Sequence, residues 1–221
     1  MPGAHFSPRA DVRAGSASPH IGAPVARGVV VVVLGAGFGR RFGGDKLSAV
    51  LPDGRAVGAA SLAVARAAWP DVVCVARPDT GMARIARESG VPLIECPDAV
   101  GGMGHSLAAA VRATAGAAGW VIALGDMPFL SPATLRAVAE SVAAGQLIVA
   151  PSFEGERGHP VGFGAALGPE LAALAGDEGA RTVLTRHRDQ LTLLSVSDAG
   201  VLRDVDQPTD LAGTVADPRP D

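Results

Sequence analysis

The stretch LGAGFGRRFGGDK, residues 34–46, brings five glycines together with Arg40, Arg41 and Lys46 directly behind a run of five valines. Glycine-rich turns expose backbone N–H groups that bind anions, and three cations in one turn have the reach to lie along a triphosphate. Holding a polyphosphate is therefore one reading. The other is a turn whose glycines serve only chain reversal and whose arginines are solvated. Two familiar phosphate signatures fail on spacing. G-x-G-x-x-G requires a third glycine at 40 or 42, where Arg40 and Phe42 stand. In the P-loop pattern, Gly39 and Gly44 require lysine at 45, where Asp45 stands, and Leu47 follows Lys46 in place of a hydroxyl.

The elements that must position this turn alternate along the chain. VVVVVL (29–34) reads as a strand buried on both faces. Helix-like and strand-like runs then follow in turn: helix 58–69, strand 71–77, helix 80–90, strand 91–97, helix 105–117, strand 119–128 and helix 131–144. Ser131 and Pro132 make a helix start. Strands at 146–151 and 191–197, with helices near 168–175 and 178–188, complete the pattern. This alternation predicts an α/β fold, a mostly parallel Rossmann-like sheet flanked by helices and built from right-handed crossovers. Ligands bind beyond the carboxyl ends of such strands. The segments there are LGAGFGRRFGGDK, CPDAVGGMGHS, LGDMPF, APSFEGERGHPVGF and RDVDQPTD, all rich in chemistry-bearing residues.

Composition narrows the classes. The chain is 48% hydrophobic and carries a net charge of −3, which speaks against nucleic acid as a main partner. No apolar run approaches the roughly 20 residues of a membrane span. Cys74 and Cys96 sit in apolar runs without a shared motif and read as buried structural thiols. Residues 1–27 are rich in Pro, Gly, Ala and Ser, lack an apolar centre and read as a disordered extension rather than a secretory signal. The expected organisation is that extension, a single domain over 28–212, a tail over 213–221, and a cytoplasmic location.

The turn resembles the L-x-x-G-x-S-x-R-x-G-x-x-K signature of nucleotidyltransferases of the molybdenum-cofactor type, among them the molybdenum cofactor cytidylyltransferases. Four further stretches match in order: GGMGHSL (101–107), LGDMPF (124–129), RGHPVGF (157–163) with GDEGAR (176–181), and DVDQPTDL (204–211). The resemblance implies a magnesium-dependent NTP transferase moving CMP from CTP to the terminal phosphate of molybdopterin. Its partners would be a nucleoside triphosphate, a phosphorylated pterin and a molybdoenzyme receiving the product. It implies nucleotide binding by Leu34, Gly35, Ala36, Gly37, Gly39, Arg41 and Lys46, with Gly102 and Ser106 toward base and ribose. Asp126 and Asp206 would hold Mg2+, and Arg157, His159, Asp177 and Arg181 would face the substrate. Catalysis would fall to Lys46, Arg41 and Asp126. Gly35 stands where the family often has alanine, and Gly39 stands where it has serine. RGHPV and GDEGAR favour the cytidine branch, whereas LGAG matches neither branch's pattern.

Such a transfer needs little general-base chemistry, because an acceptor phosphate is already anionic; it needs in-line positioning and charge neutralisation. Carboxylates from separate strand ends can share one magnesium, and Lys46 and Arg41 can stabilise the triphosphate. Each residue has a plainer reading as well. Asp126 before Met127-Pro128 is a turn residue, Asp206 a turn or helix cap, Asp204 undecided, Ser106 a helix cap, His159 a hydrogen-bonded structural histidine, and Asp177 and Arg181 part of a charged helix start. A guanylyl-transferring relative, a transferase with another phosphorylated acceptor, a nicotinamide-dependent reductase of the nicotine-blue type and a non-catalytic carrier of the cofactor stay open.

Overall fold

The computed structural model describes residues 27–37, 39 and 42–212. Apart from Arg27, the expected extension and tail lie outside the described residues, as does Arg41. The elements run β1 (Val29–Leu34), α1 (Val57–Ala68), β2 (Val72–Ala76), α2 (Gly81–Glu88), β3 (Leu93–Glu95), α3 (Met103–Ala113), β4 (Gly119–Leu124), α4 (Pro132–Ala143), β5 (Ile148–Phe153), β6 (Glu156–Arg157), β7 (Val161–Gly164), α5 (Gly168–Ala172), α6 (Arg181–Arg186) and β8 (Leu191–Ser195). They build an eight-stranded sheet in the order β3-β2-β1-β4-β7-β5-β6, with β8 also on β5. The pairs among β1 to β4 are parallel, as is β5 with β8, whereas β7 runs antiparallel to both β4 and β5. The expected α/β class, a mostly parallel sheet flanked by helices, is what the chain forms.

Alternation along β1 explains its five valines. Val29, Val31 and Val33 face a core shared with α1, α2 and α4 through Leu62, Ile85 and Leu135. Val30 and Val32 face the opposite core with Leu107 of α3, Leu171 of α5 and Val183 of α6. Successive strand side chains point to opposite faces, so a strand covered by helices on both sides must be apolar at every position.

One segment departs from expectation. No strand is expected between 151 and 191, yet β5 runs on to Phe153, β6 pairs back on it, and β7 fills the sheet between β4 and β5. The reason is steric: a Cβ at Gly162 would lie 2.4 Å from Val142 Cγ2, so α4 packs directly on the β7 backbone. A strand that must carry glycine under a helix lacks the β-branched signature by which strands are recognised.

Candidate active site

The chain leaves β1 toward β2 on one side and returns to pair β4 on the other, so the carboxyl ends of β1 and β4 flank a crevice of the kind that binds ligands in such sheets. Gly125 draws these ends together. Its N–H donates to the Leu34 carbonyl at 2.9 Å, and a Cβ there would sit 3.0 Å from that same oxygen. Asp126, the next residue, is thereby held beside the glycine turn. In that turn Gly39 takes φ +58°, and a Cβ on it would come within 2.6 Å of the Gly44 carbonyl oxygen. The backbone adopted here excludes the serine of the resembling signature. This relates Gly39 to the shape of the turn.

Lys46 opens a short 3-10 turn, Lys46–Ser48, anchored by the buried Leu47. Its Nζ lies 2.6 Å from Asp126 Oδ2 and 3.0 Å from Asp206 Oδ1. The turn carrying Asp206 is docked from several directions. Val205 N–H donates to the Asp126 carbonyl at 2.8 Å, and Asp210 Oδ2 accepts from the N–H groups of Asp206 and Gln207 at 2.9 and 2.7 Å. Upstream, Asp198 accepts from Ser131 N–H, the Thr134 hydroxyl and Gly200 N–H, tying this stretch to the start of α4.

Asp204 completes a cluster: one carboxylate oxygen from each of Asp126, Asp204 and Asp206 lies within 4.8 Å of the others. Burial alone would lower the Lys46 ammonium's pKa, but the Asp126 and Asp206 carboxylates outweigh it and hold it above its ordinary value. Burial, together with the charges of Asp206 and Asp126, raises the Asp204 carboxyl. Asp126 Oδ1 is buried with no hydrogen-bond partner. A buried unpaired carboxylate oxygen calls for an explanation such as an ion, and three hard oxygen donors converging on one point suit a magnesium-like cation. The residues fit a divalent metal.

The cavity that receives these groups measures about 610 Å3, within the range of small-molecule sites. Leu34, Gly35, Ala36, Gly37 and Gly39 line it together with Lys46, Asp126, Asp204 and Asp206; Gly102, Ser106 and Asp177 join them. Gly102, at φ +115°, precedes α3 and leaves no space for a side chain, since a Cβ would lie 2.4 Å from the Gly176 backbone. Gly104 N–H donates to the Gly176 carbonyl at 2.8 Å, which brings the Asp177 loop against the start of α3.

Most of the predicted residues therefore converge. Arg157, His159 and Arg181 do not line this cavity. Arg157 is exposed on β6 and Arg181 is exposed at the start of α6. His159 is mostly buried, its backbone N–H donating to the Val201 carbonyl at 2.9 Å, with its Nδ1 unpartnered. Burial and the Arg157 charge push its pKa below the usual histidine value, against a smaller opposite pull from Asp126. Sequence reasoning missed Phe42, Leu47, Val100, Met103 and Leu124 in the lining. They are apolar neighbours of the motif residues whose types carry no chemical signal in the sequence; Val100 and Met103 stand exposed at the cavity wall.

Fold and site together define an α/β protein with a glycine turn and an acidic cluster meeting at the switch point of its sheet. The chain belongs to the MobA-like NTP transferase family, whose domain matches residues 31–191. It is 34% identical over 194 residues to the purine catabolism protein PucB of Bacillus subtilis (strain 168), covering 81% of this chain and 92% of PucB. The structure of Rv0371c from Mycobacterium tuberculosis H37Rv matches with a TM-score of 0.68 and 31% identity, over 82% of this chain and 94% of that one. A second structure of Rv0371c is a complex with manganese. A nucleotidyl transferase from Methanothermobacter thermautotroptrophicus, Mth528, matches with a TM-score of 0.70 and 25% identity, over 82% and 93% of the two chains. The protein is a nucleotidyltransferase of this type, and its substrate is a nucleoside triphosphate. Among the described residues no helix is long and apolar enough to cross a membrane.

Proposed function

We propose that the protein moves CMP from CTP to the terminal phosphate of molybdopterin, releasing pyrophosphate with the help of Mg2+. The observation that carries the reading is the meeting of Lys46, Asp126, Asp204 and Asp206 in the cavity lined by the glycine turn and by Gly102 and Ser106. An acceptor phosphate oxygen attacks the α-phosphorus, a new P–O bond forms, and the bond to the β-phosphate oxygen breaks as pyrophosphate leaves. No base is required because the nucleophile is already ionised. The N–H groups of the glycine turn hold the triphosphate, Lys46 stabilises the charge that grows on the leaving pyrophosphate, and Arg41 assists it. A bound magnesium would neutralise phosphoryl oxygens and fix the in-line geometry, held by Asp126 and Asp206 with Asp204 as a further donor.

Ser106 and the backbone around Gly102 contact base and ribose, and the exposed side chains of Val100 and Met103 offer a shelf for a flat heterocycle. Arg157, His159, Asp177 and Arg181 belong to the acceptor side of the same reading. The cytidine preference is supported by the resemblance of RGHPV and GDEGAR to the cytidylyl branch. A molybdoenzyme as recipient and a cytoplasmic location go with it. The test is pyrophosphate release with magnesium, molybdopterin and each of the four NTPs. Release with CTP alone is the expected result. Release with GTP alone moves the protein to the guanylyl branch, and no release from folded protein removes the molybdopterin reading.

A further inference from the structure

The chain has eighteen arginines and a single lysine, and that lysine is Lys46. Its ammonium does not rest in solvent or toward the glycine turn alone: it bridges Asp126 Oδ2 at 2.6 Å and Asp206 Oδ1 at 3.0 Å. These two carboxylates are the donors that the metal reading assigns to the divalent cation. Magnesium sits about 2.1 Å from its oxygen ligands, so ammonium and metal would share the same oxygens as close like charges. Without Lys46 the cluster would hold three carboxylates within 4.8 Å, and Asp126 would lose its ion pair among the described residues, its Oδ1 being buried and unpartnered.

We infer that Lys46 is the built-in counter-ion of the nucleotide-free site, and that it must leave Asp126 and Asp206 before a divalent cation binds there. Lys46 lines the same cavity as Gly35, Ala36, Gly37 and Gly39, so an entering triphosphate offers its ammonium a second anionic partner within reach of one flexible stem. Nucleotide binding draws the lysine off the carboxylates and opens them to the metal, which couples the two affinities reciprocally. Arginine suits this exchange poorly: its planar fork prefers a fixed bidentate geometry, whereas an ammonium is a compact point charge that can change partners. The inference rests on the reading of the acidic cluster as a cation site, and it is independent of which nucleotide or acceptor is used.

The experiment is a Mn2+ titration of the full chain without nucleotide, read from the EPR signal of free Mn2+, with folding checked by circular dichroism. Lys46→Gln binds Mn2+ roughly tenfold more tightly than wild type, a gain in the usual range of site-to-site coupling. Adding Asp126→Asn to Lys46→Gln abolishes the gain. Equal affinity of wild type and Lys46→Gln, both dependent on Asp126, overturns the counter-ion role while leaving the cation site intact. No Asp126-dependent binding in any variant removes the cation reading and the inference together. A second measurement uses wild type alone. With 15N-lysine incorporated, the single side-chain ammonium resonance broadens or shifts as saturating Mg2+ expels it. An ammonium signal unchanged while Mg2+ occupies the Asp126-dependent site also overturns the proposal.

Discussion

Asp126→Asn separates the stability of this site from its chemistry. In the folded protein Asp126 Oδ2 accepts a 2.6 Å charged bond from Lys46, while Oδ1 is buried without a partner. Losing a hydrogen bond to a charged group costs about 1.5–3 kcal/mol, and an unsatisfied buried polar atom costs about 1–3 kcal/mol. The substitution weakens the first, puts an uncharged amide where a carboxylate oxygen was buried unpaired, and removes one of three clustered negative charges. Lys46 also keeps Asp206 at 3.0 Å. The terms nearly cancel, leaving a net change of about 1 kcal/mol, or roughly 2–4 °C in Tm for a domain of this size. Turnover responds far more strongly. Removing a preorganised charge that stabilises the transition state by about 4 kcal/mol slows the reaction roughly 1,000-fold. Pyrophosphate release and thermal unfolding, measured on the same preparation, give both numbers. A Tm loss above about 8 °C together with a rate within tenfold of wild type would refute the reasoning, because Asp126 would then be a structural residue.

Three further outcomes follow from the geometry. Gly39→Ser, which restores the residue of the resembling signature, raises KM for the nucleotide, because φ +58° and the 2.6 Å approach to the Gly44 carbonyl disfavour any side chain; a lowered KM in steady-state kinetics would contradict this. Gly162→Ala destabilises the fold by about 1–3 kcal/mol through overpacking against Val142, seen as a lower urea midpoint, and an unchanged midpoint would show that α4 yields freely. His159, depressed below its usual 6.5 by burial and by Arg157, leaves the unfolded chain binding more protons between its folded pKa and 6.5. Stability therefore rises with pH across that window and is lost as pH falls through it. His159→Gln flattens the dependence of the urea midpoint just below pH 6.5 relative to wild type, and an identical slope in both proteins would dismiss the histidine as its source.

The parts of the fold that were legible are those in which local pattern and tertiary role coincide. The five valines of β1 announce a strand with both faces covered, and helix α4 announces its start through Ser131 and Pro132, with Ser131 Oγ accepting from Ala133 N–H at 3.3 Å. Strand β7 was hidden because Gly162 answers to Val142 across the interface, a partner no local window contains. The site followed the same division. Asp126 and Lys46 were legible from strand ends and turn chemistry. The assignment of Asp204 depended on how Val205 docks on the Asp126 carbonyl, which sequence spacing does not encode. Arg181 shares its motif stretch with Asp177 but not the cavity wall, and the stretch holding Arg157 and His159 lines none of it, because motif order fixes position along the chain and leaves side-chain direction to packing.

The most direct measurement is anomalous diffraction from crystals of the full chain grown with Mn2+ and a non-hydrolysable CTP analogue. The account predicts a manganese peak bonded to Asp126 and Asp206, with Lys46 Nζ moved onto the phosphates beside Gly37 and Gly39. A peak away from both carboxylates, or Lys46 still bridging them beside a bound nucleotide, would contradict it.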